Sequence, residues 1–224
     1  MKEFTYFVID KVLETLKCNP NFPHVSINLS IKQFYSDDFI QHLDNIFRGF
    51  EELQPHISFE ITESLFHEDP KVLLKGIKQL RARGFRISID DFGTGYSSFS
   101  YIRNFTADII KIDRAFVIDI ESNEKNYDLL KGMVALLQSM NADVVIEGVE
   151  NQQQMDKIRK FSHSVKIQGN YFHYPMPLIN LLVAVDRQDK VAEWDINSHN
   201  NNQLVNHFLE IKKHQPQSNE GFAG

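Results

Sequence analysis

The 224-residue chain has a single cysteine, Cys18, and its basic residues do not outnumber its acids. One cysteine excludes a disulfide within the chain and is typical of a reducing compartment such as the cytoplasm. There are 24 Lys and Arg against 30 Asp and Glu, a net charge of −6. This balance argues against binding DNA, because nucleic-acid-binding domains present a basic surface. A small anionic ligand remains compatible with it, because divalent cations would reverse the local charge of an acidic cluster.

Long apolar runs are also missing from the sequence. None approaches the roughly 20 residues that a bilayer-spanning helix needs, so we expect no membrane segment in this chain. Residues 1–16 mix acids with apolar side chains and lack a small-residue cleavage site, unlike a signal peptide. We therefore expect a cytoplasmic protein, whose length allows one domain with a substantial core.

Strand-like and helix-like segments alternate along most of the chain, as in a parallel sheet with crossover helices. The predicted strands cover residues 24–29, 57–62, 85–90, 109–113, 144–149 and 165–169. The predicted helices cover residues 4–17, 37–49, 70–83, 96–104, 124–140 and 150–161. Beyond Pro177 the pattern weakens, with candidate helices at 179–186 and 203–213 and a tail predicted to be disordered. We predict a barrel domain over residues 1–186 and a C-terminal extension over residues 187–224.

Each predicted strand carries a polar or charged residue at or near its C-terminal end. These residues are Asn28, Glu60, Asp90 with Asp91, Lys111, Glu147 and Gln168. Parallel strands joined by helices bring their C-terminal ends to one face, where ligands bind. Side chains alternate along a strand, so Ser26, Ser58 and Ser88 should share the inner face with them. A doubly wound sheet would bury both faces of its central strands in apolar contacts, so this polar inner face favours a TIM-type (β/α) barrel.

The clustered acids predict a divalent metal site. Carboxylates a few ångström apart would raise one another's pKa, and bound cations remove that conflict. Oxygen ligands of this kind suit Mg²⁺ or Mn²⁺. Two such ions roughly 3.5–4 Å apart can activate water and stabilise the leaving oxygen of a phosphodiester. Any one of these acids alone is more often a turn or cap residue, but the same trend in all the predicted strands argues against that alternative.

Six segments of the chain resemble the EAL domain family, the cyclic di-GMP phosphodiesterases. They are SINLS (26–30), FEITES (59–64), DDFGTGYSSFSYIR (90–103), IIKIDRAFV (109–117), VIEGVENQQQ (145–154) and QGNYFHYPMP (168–177). They occur in the family's order, and the resemblance covers about residues 5–180. The resemblance implies a TIM-type barrel that hydrolyses cyclic di-GMP to linear pGpG with two Mg²⁺ or Mn²⁺ ions in bacterial signalling.

The resemblance also implies a role for each of the polar side chains. The metal ligands would be Asn28, Glu60, Asp90 and Asp91. The residues that position and activate the nucleophilic water would be Lys111 and Glu147. Gln168 would lie at the metal and substrate end. Glu63 would hold the loop after the Asp-Asp pair, a loop that the family uses in dimerisation and activity.

The sequence departs from the family in one region. It does not contain the Glu-Ala-Leu segment, whose glutamate binds metal, or the arginine shortly after it that grips substrate phosphate. In the family both precede the helix predicted here to start near residue 4. We therefore expect an N-terminally truncated barrel with about six of the eight strands.

The departure leaves several functions open. The chain could be a cyclic di-GMP phosphodiesterase that is weak or inactive by itself. It could instead be a degenerate EAL domain that acts as a cyclic di-GMP receptor or a protein-interaction module. An open barrel edge would then be covered by a second copy of the chain or by another protein. A weaker hypothesis is a remnant that does not fold.

Overall fold

The structure of this protein, a computed structural model, describes residues 2–35, 38–95 and 107–192. Its strands are β1 (Val25–Asn28), β2 (Ile57–Thr62), β3 (Arg86–Phe92), β4 (Ile109–Ile112), β5 (Asp143–Ile146) and β6 (Lys166–Ile167). Its α-helices are α1 (Lys2–Cys18), α2 (Asp38–Ile46), α3 (Leu65–Glu68), α4 (Pro70–Arg81), α5 (Glu124–Ser139), α6 (Gln152–Arg159) and α7 (Leu178–Ala192). Short 3-10 helices lie at Ile31–Tyr35, Glu51–His56 and Arg114–Phe116.

The strands form one six-stranded sheet in which every neighbouring pair is parallel and follows chain order from β1 to β6. On its inner face, Arg86 on β3 reaches past β4 to Asp143 on β5, with 2.7 Å between the guanidinium nitrogen and Oδ2. Within the described ranges, no strand pairs with the outer edge of β1 or β6. The sheet is thus part of a TIM-type barrel with six strands, and this prediction is confirmed.

The apolar core lies between the outer face of the sheet and the helices. Phe59 on β2 is fully buried and packs edge-on against Phe39 of α2 and against Phe85. Leu73 and Leu80 of α4 are buried in the same core. Full burial of such a side chain is worth about 1.5–3 kcal/mol, so the alternating apolar residues of the strands fix which face turns toward the helices.

Side-chain caps set where several helices begin. The carboxylate of Asp69 accepts a hydrogen bond from the Val72 amide, and Pro70 occupies the first turn of α4. Asn123 caps α5 and Asn151 caps α6 through their side-chain oxygens. Each cap fixes the direction in which the chain leaves a strand end and returns along the outside of the sheet.

The element boundaries differ from the sequence prediction in several places. Helix α2 ends at Ile46 rather than residue 49, β5 ends at Ile146 rather than residue 149, and the short helix α3 was not predicted. Strand β3 extends beyond residue 90 to Phe92, and its register with β4 shifts between Ile89 and Phe92. The predicted helices at 96–104 and 203–213 and the predicted disordered tail lie outside the described residues.

The last described helix is longer than the candidate helix predicted at 179–186. Helix α7 runs from Leu178 to Ala192, so the predicted boundary between residues 186 and 187 falls inside it. The division into a barrel domain and an extension stays a prediction. Across the part of the chain that the structure covers, no helix has the length and apolar character needed to cross a bilayer.

A layer of charged side chains lies at the N-terminal end of the inner face. The Asp143 carboxylate accepts hydrogen bonds from Arg86 (2.7 Å) and from Lys166 on β6 (3.1 Å). His24 lies just before β1, and burial together with the charges of Arg86, Lys166 and His56 lowers its pKa to about 4. The layer therefore links β3 to β5 and β5 to β6, and the neighbouring His24 is neutral at pH 7.

This layer makes the stability of the fold depend on pH. In the unfolded chain the His24 imidazole takes up a proton near pH 6.5, but in the folded chain only near pH 4. Between these values the unfolded state binds more protons. The free energy of unfolding should therefore fall as the pH drops from about 6.5 to 4, by up to roughly 3 kcal/mol from this residue.

Urea unfolding at pH 7, 6, 5 and 4.5 checks this expectation. His24→Gln should lose less stability over this range than the unmodified protein. His163→Gln, at an exposed position between α6 and β6, is the matched control and should keep the full loss. An unchanged pH dependence in His24→Gln would contradict the expectation.

Candidate metal centre

Lys111 on β4 is a fully buried cation surrounded by carboxylates. Its Nζ lies 2.7 Å from Glu147 Oε1, 3.0 Å from Glu60 Oε1 and 3.1 Å from Asp90 Oδ1. Burial disfavours the charged ammonium, but the attraction of Glu60, Glu147 and Asp90 outweighs it and raises the pKa of Lys111 above its ordinary value. Lys111 therefore stays charged at neutral pH and is the internal counter-ion of this cluster.

The strand register that places these side chains is staggered. Asn28 on β1 lies opposite Glu60 on β2, and Thr62 at the end of β2 lies opposite Asp90 on β3. On the other side of β4, the Glu147 amide donates to the Ile112 carbonyl at 3.0 Å. The polar strand ends thus meet through a staggered parallel pairing, as the tilted strands of a barrel require.

An irregularity in β3 places two adjacent acids on the same side. In a regular strand Asp90 and Asp91 would point to opposite faces. The register with β4 shifts between Ile89 and Phe92, as in a β-bulge, and Asp91 has φ 56°, in the left-handed region. As a result, one oxygen each from Asp90, Asp91 and Glu147 lie within 4.8 Å of one another.

The bulge was not foreseen from the sequence, although the sequence carried a signal for it. Two acids in succession on a strand with a buried outer face would force one carboxylate into the apolar layer. A bulge avoids that cost, because the extra residue turns the second side chain away from it. Adjacent Asp residues at a strand end are therefore a pattern that can indicate a bulge.

The donor set fits a divalent cation. Glu60, Asp90, Asp91 and Glu147 bring four carboxylates to the cluster, and Lys111 supplies one positive charge to offset them. Carboxylates this close repel one another unless further cations are bound. Their hard oxygen atoms are the ligands that Mg²⁺ and Mn²⁺ prefer. The structure therefore contains an acidic cluster where the sequence predicted a metal site, and the bound ions stay a prediction.

Asn28 and Gln168 flank the carboxylates on opposite sides. Asn28 ends β1 with an exposed side chain. Gln168 follows β6 and is half-buried, and its amide donates to the Ile146 carbonyl at 2.9 Å. Both residues lie at the predicted edge of the sheet. Their roles as metal ligand and substrate-end residue stay predictions, as do the roles assigned to the individual acids.

Glu63 holds the beginning of the loop that follows the two aspartates. It is buried, and its Oε2 accepts hydrogen bonds from the backbone amides of Gly93 (2.9 Å) and Gly95 (3.4 Å). Gly93 has φ 96°, which favours glycine at this turn. Both contacts tie Glu63 to the first residues of the loop, and its wider role in holding the loop stays a prediction. The remainder of the loop, residues 96–106, lies outside the described residues.

Arg114 was also not identified from the sequence. It follows β4 at the same edge of the sheet, and its guanidinium nitrogen lies 3.9 Å from Glu150 Oε1. The signal available in the sequence was a cation placed directly after a strand that carries Lys111 and Asp113.

Replacing Lys111 with methionine should strongly destabilise the fold in the absence of metal ions. The substitution leaves Glu60, Asp90 and Glu147 without their buried counter-ion, which costs about 3–5 kcal/mol by analogy with other broken buried ion pairs. Urea unfolding in a chelating buffer at pH 7.5 measures the loss.

Lys166→Met is the matched control for this substitution. Lys166 is also an inner-face lysine, but it contacts Asp143, which keeps its hydrogen bond to Arg86. We expect this control to lose about 1 kcal/mol, as for a partly exposed pair. Equal losses in the two variants would show that Lys111 has no special role as a counter-ion.

Comparisons with known proteins agree with this geometry. The model of the EAL domain family matches residues 1–175. The bifunctional diguanylate cyclase/cyclic di-GMP phosphodiesterase MucR of Pseudomonas aeruginosa is 33% identical over 162 residues, which are 72% of this chain and 24% of MucR. The chain spans about a fifth of the length of the first curated relatives that it matches.

Solved structures show the same likeness in three dimensions. The MucR phosphodiesterase in its c-di-GMP complex superposes with a TM-score of 0.70 at 30% identity, covering 80% of this chain and 74% of that chain. The manganese/cyclic di-GMP complex of Klebsiella pneumoniae BlrP1 superposes with a TM-score of 0.66 at 26% identity, covering 75% of this chain and 43% of that chain.

Proposed function

Because the chain belongs to the EAL domain family, we propose that it is a phosphodiesterase domain that hydrolyses cyclic di-GMP to linear pGpG with two Mg²⁺ or Mn²⁺ ions. The observation that carries this proposal is the set of carboxylate oxygens from Asp90, Asp91 and Glu147 within 4.8 Å of one another. The c-di-GMP complex of MucR and the manganese complex of BlrP1 support the choice of substrate and metal.

The cations would be held by Asp90 and Asp91 together with Glu60 and Asn28 from the two preceding strands. When bound, they would supply a positive charge that lowers the pKa of water and polarises the phosphoryl oxygens. Asp91 can contribute because the bulge turns its side chain toward the same site as Asp90. Gln168, at the far flank of the site, would orient the substrate with its side-chain amide.

Glu147 would accept the proton of the attacking water. Its side chain is largely buried but opens to the site, and its Oε1 lies 2.7 Å from Lys111 Nζ. The adjacent ammonium favours the ionised carboxylate, which is the form that can accept a proton. Lys111 would also place its own positive charge where the negative charge of the reaction develops.

A non-catalytic role is the second candidate. It is favoured by the outer edges of β1 and β6, which no strand among the described residues covers. In this role the domain would bind cyclic di-GMP as a receptor, or would pair through an open edge with a second copy or another protein. For either role we propose a cytoplasmic location, which the single cysteine supports.

Hydrolysis of cyclic di-GMP by the purified chain tests the first candidate. We expect pGpG to form only with Mg²⁺ or Mn²⁺ present, and Asp90→Asn to reduce the rate by at least roughly 100-fold, as loss of a strong electrostatic contact does. Chromatography of the products measures the rate. Asp156→Asn, on the exposed surface of α6, is the control and should retain the full rate. Equal turnover in the unmodified protein and Asp90→Asn would reject a metal-site mechanism.

Calorimetry with Ca²⁺ in place of Mg²⁺ separates the two nucleotide functions. Binding of cyclic di-GMP by a chain that shows no turnover with Mg²⁺ or Mn²⁺ would establish the receptor role. A chain that neither binds nor hydrolyses the nucleotide would retain only the protein-interaction role.

A further inference from the structure

Arg114 lies at the edge of the sheet where the carboxylates meet. It directly follows Asp113 at the end of the β4 segment and opens the short 3-10 helix Arg114–Phe116. The Asp113 carboxylate accepts a hydrogen bond from the Ala115 amide at 2.8 Å, which fixes the turn in which Arg114 sits. The backbone of Arg114 is therefore held in place by the 3-10 helix and by the Asp113 cap.

The stem of Arg114 packs against the backbone beside Glu147. A Cβ atom on Gly148 would lie 2.3 Å from the Arg114 Cβ and 3.1 Å from its Cα. Gly148 also has φ 72°, so only glycine fits this close approach comfortably. The contact holds the base of the arginine next to the residue that follows Glu147, while the side chain as a whole is 61% exposed.

The charged end of Arg114 has a weak anionic partner. Its guanidinium nitrogen lies 3.9 Å from Glu150 Oε1, and the Glu150 side chain is 50% exposed. Exposed ion pairs at this separation are strongly screened by water and contribute little. The ion pair with Glu150 is therefore weak, and the guanidinium can bind a stronger anion at the mouth of the barrel instead.

We infer that Arg114 binds the phosphate of the cyclic dinucleotide that is not cut, an inference that rests on the proposed function. A cyclic dinucleotide carries two phosphodiester anions. The carboxylate-held cations and Lys111 attract the phosphate that is cut, and the second phosphate enters the same mouth. A guanidinium suits it because its planar fork makes two parallel hydrogen bonds to phosphate oxygens.

Binding measurements on the whole chain test this role. Calorimetry with cyclic di-GMP and Ca²⁺ should show about 10- to 100-fold weaker binding for Arg114→Ala, as expected for a lost charge-assisted hydrogen bond. The affinity of Arg114→Lys should lie between those of the unmodified protein and Arg114→Ala, because lysine keeps the charge but lacks the planar guanidinium. Arg159→Ala is the matched control. Arg159 also lies 3.9 Å from a carboxylate, that of Asp156, but it belongs to α6. The affinity of this variant for cyclic di-GMP should not change.

Glu150→Gln separates phosphate binding from a structural ion pair. If Arg114 served only by pairing with Glu150, this substitution would weaken binding as Arg114→Ala does, and the inference would be overturned. If Arg114 binds phosphate, removing the competing carboxylate should leave the affinity unchanged or increase it. Thermal unfolding of each variant identifies any loss of folding.

Two further outcomes keep this inference distinct from the proposed function. An unmodified chain that does not bind cyclic di-GMP overturns the nucleotide function itself and the inference with it. An unmodified chain that binds, with Arg114→Ala and Arg114→Lys both within about twofold of it, overturns only the role of Arg114.

Discussion

The buried ammonium of Lys111 and the carboxylates around it are the interaction on which the site depends. Three acids from different segments contact Nζ at 2.7 to 3.1 Å. Neither the lysine nor the acids would be stable in this interior alone, because an unpaired buried charge is expensive. Their mutual attraction fixes where the ends of β2, β3 and β4 stand relative to one another. The same attraction leaves an excess of negative charge, which is what a cation site needs.

The parallel sheet serves this cluster by bringing the C-terminal ends of its strands to one edge. The pairing is staggered, with Asn28 opposite Glu60 but Asp90 opposite Thr62, and the apolar outer faces of the strands anchor the sheet to the helices. At the opposite end of the inner face, Arg86, Asp143 and Lys166 form a second polar layer. Charged layers at both ends with small serines between them explain why this sheet buries polar groups that a flat, two-sided sheet would exclude.

Local backbone departures refine the site beyond what regular strands allow. The bulge at Asp91 brings a second carboxylate to the side of β3 where Asp90 lies. The contact of Gly148 with Arg114 brings the turn after β4 against the segment that carries Glu147. Glu63 ties the start of the next loop to the end of β2. Each departure sits next to a predicted site residue, consistent with irregular backbone being placed where chemistry is assembled.

The sequence alone determined the parallel α/β architecture, the six strands and the convergence of polar strand ends. These follow from alternation and from the common polarity of parallel strands, which are local properties of the chain. Only the tertiary structure decided that Lys111 sits among three acids, that Asp90 and Asp91 face the same way, and that Arg114 stands beside Gly148. Helix ends such as Ile46 were likewise decided in three dimensions. The physical reason is that periodicity fixes which face a residue occupies, whereas charge compensation, bulges and close backbone approach depend on neighbours that are distant in the chain.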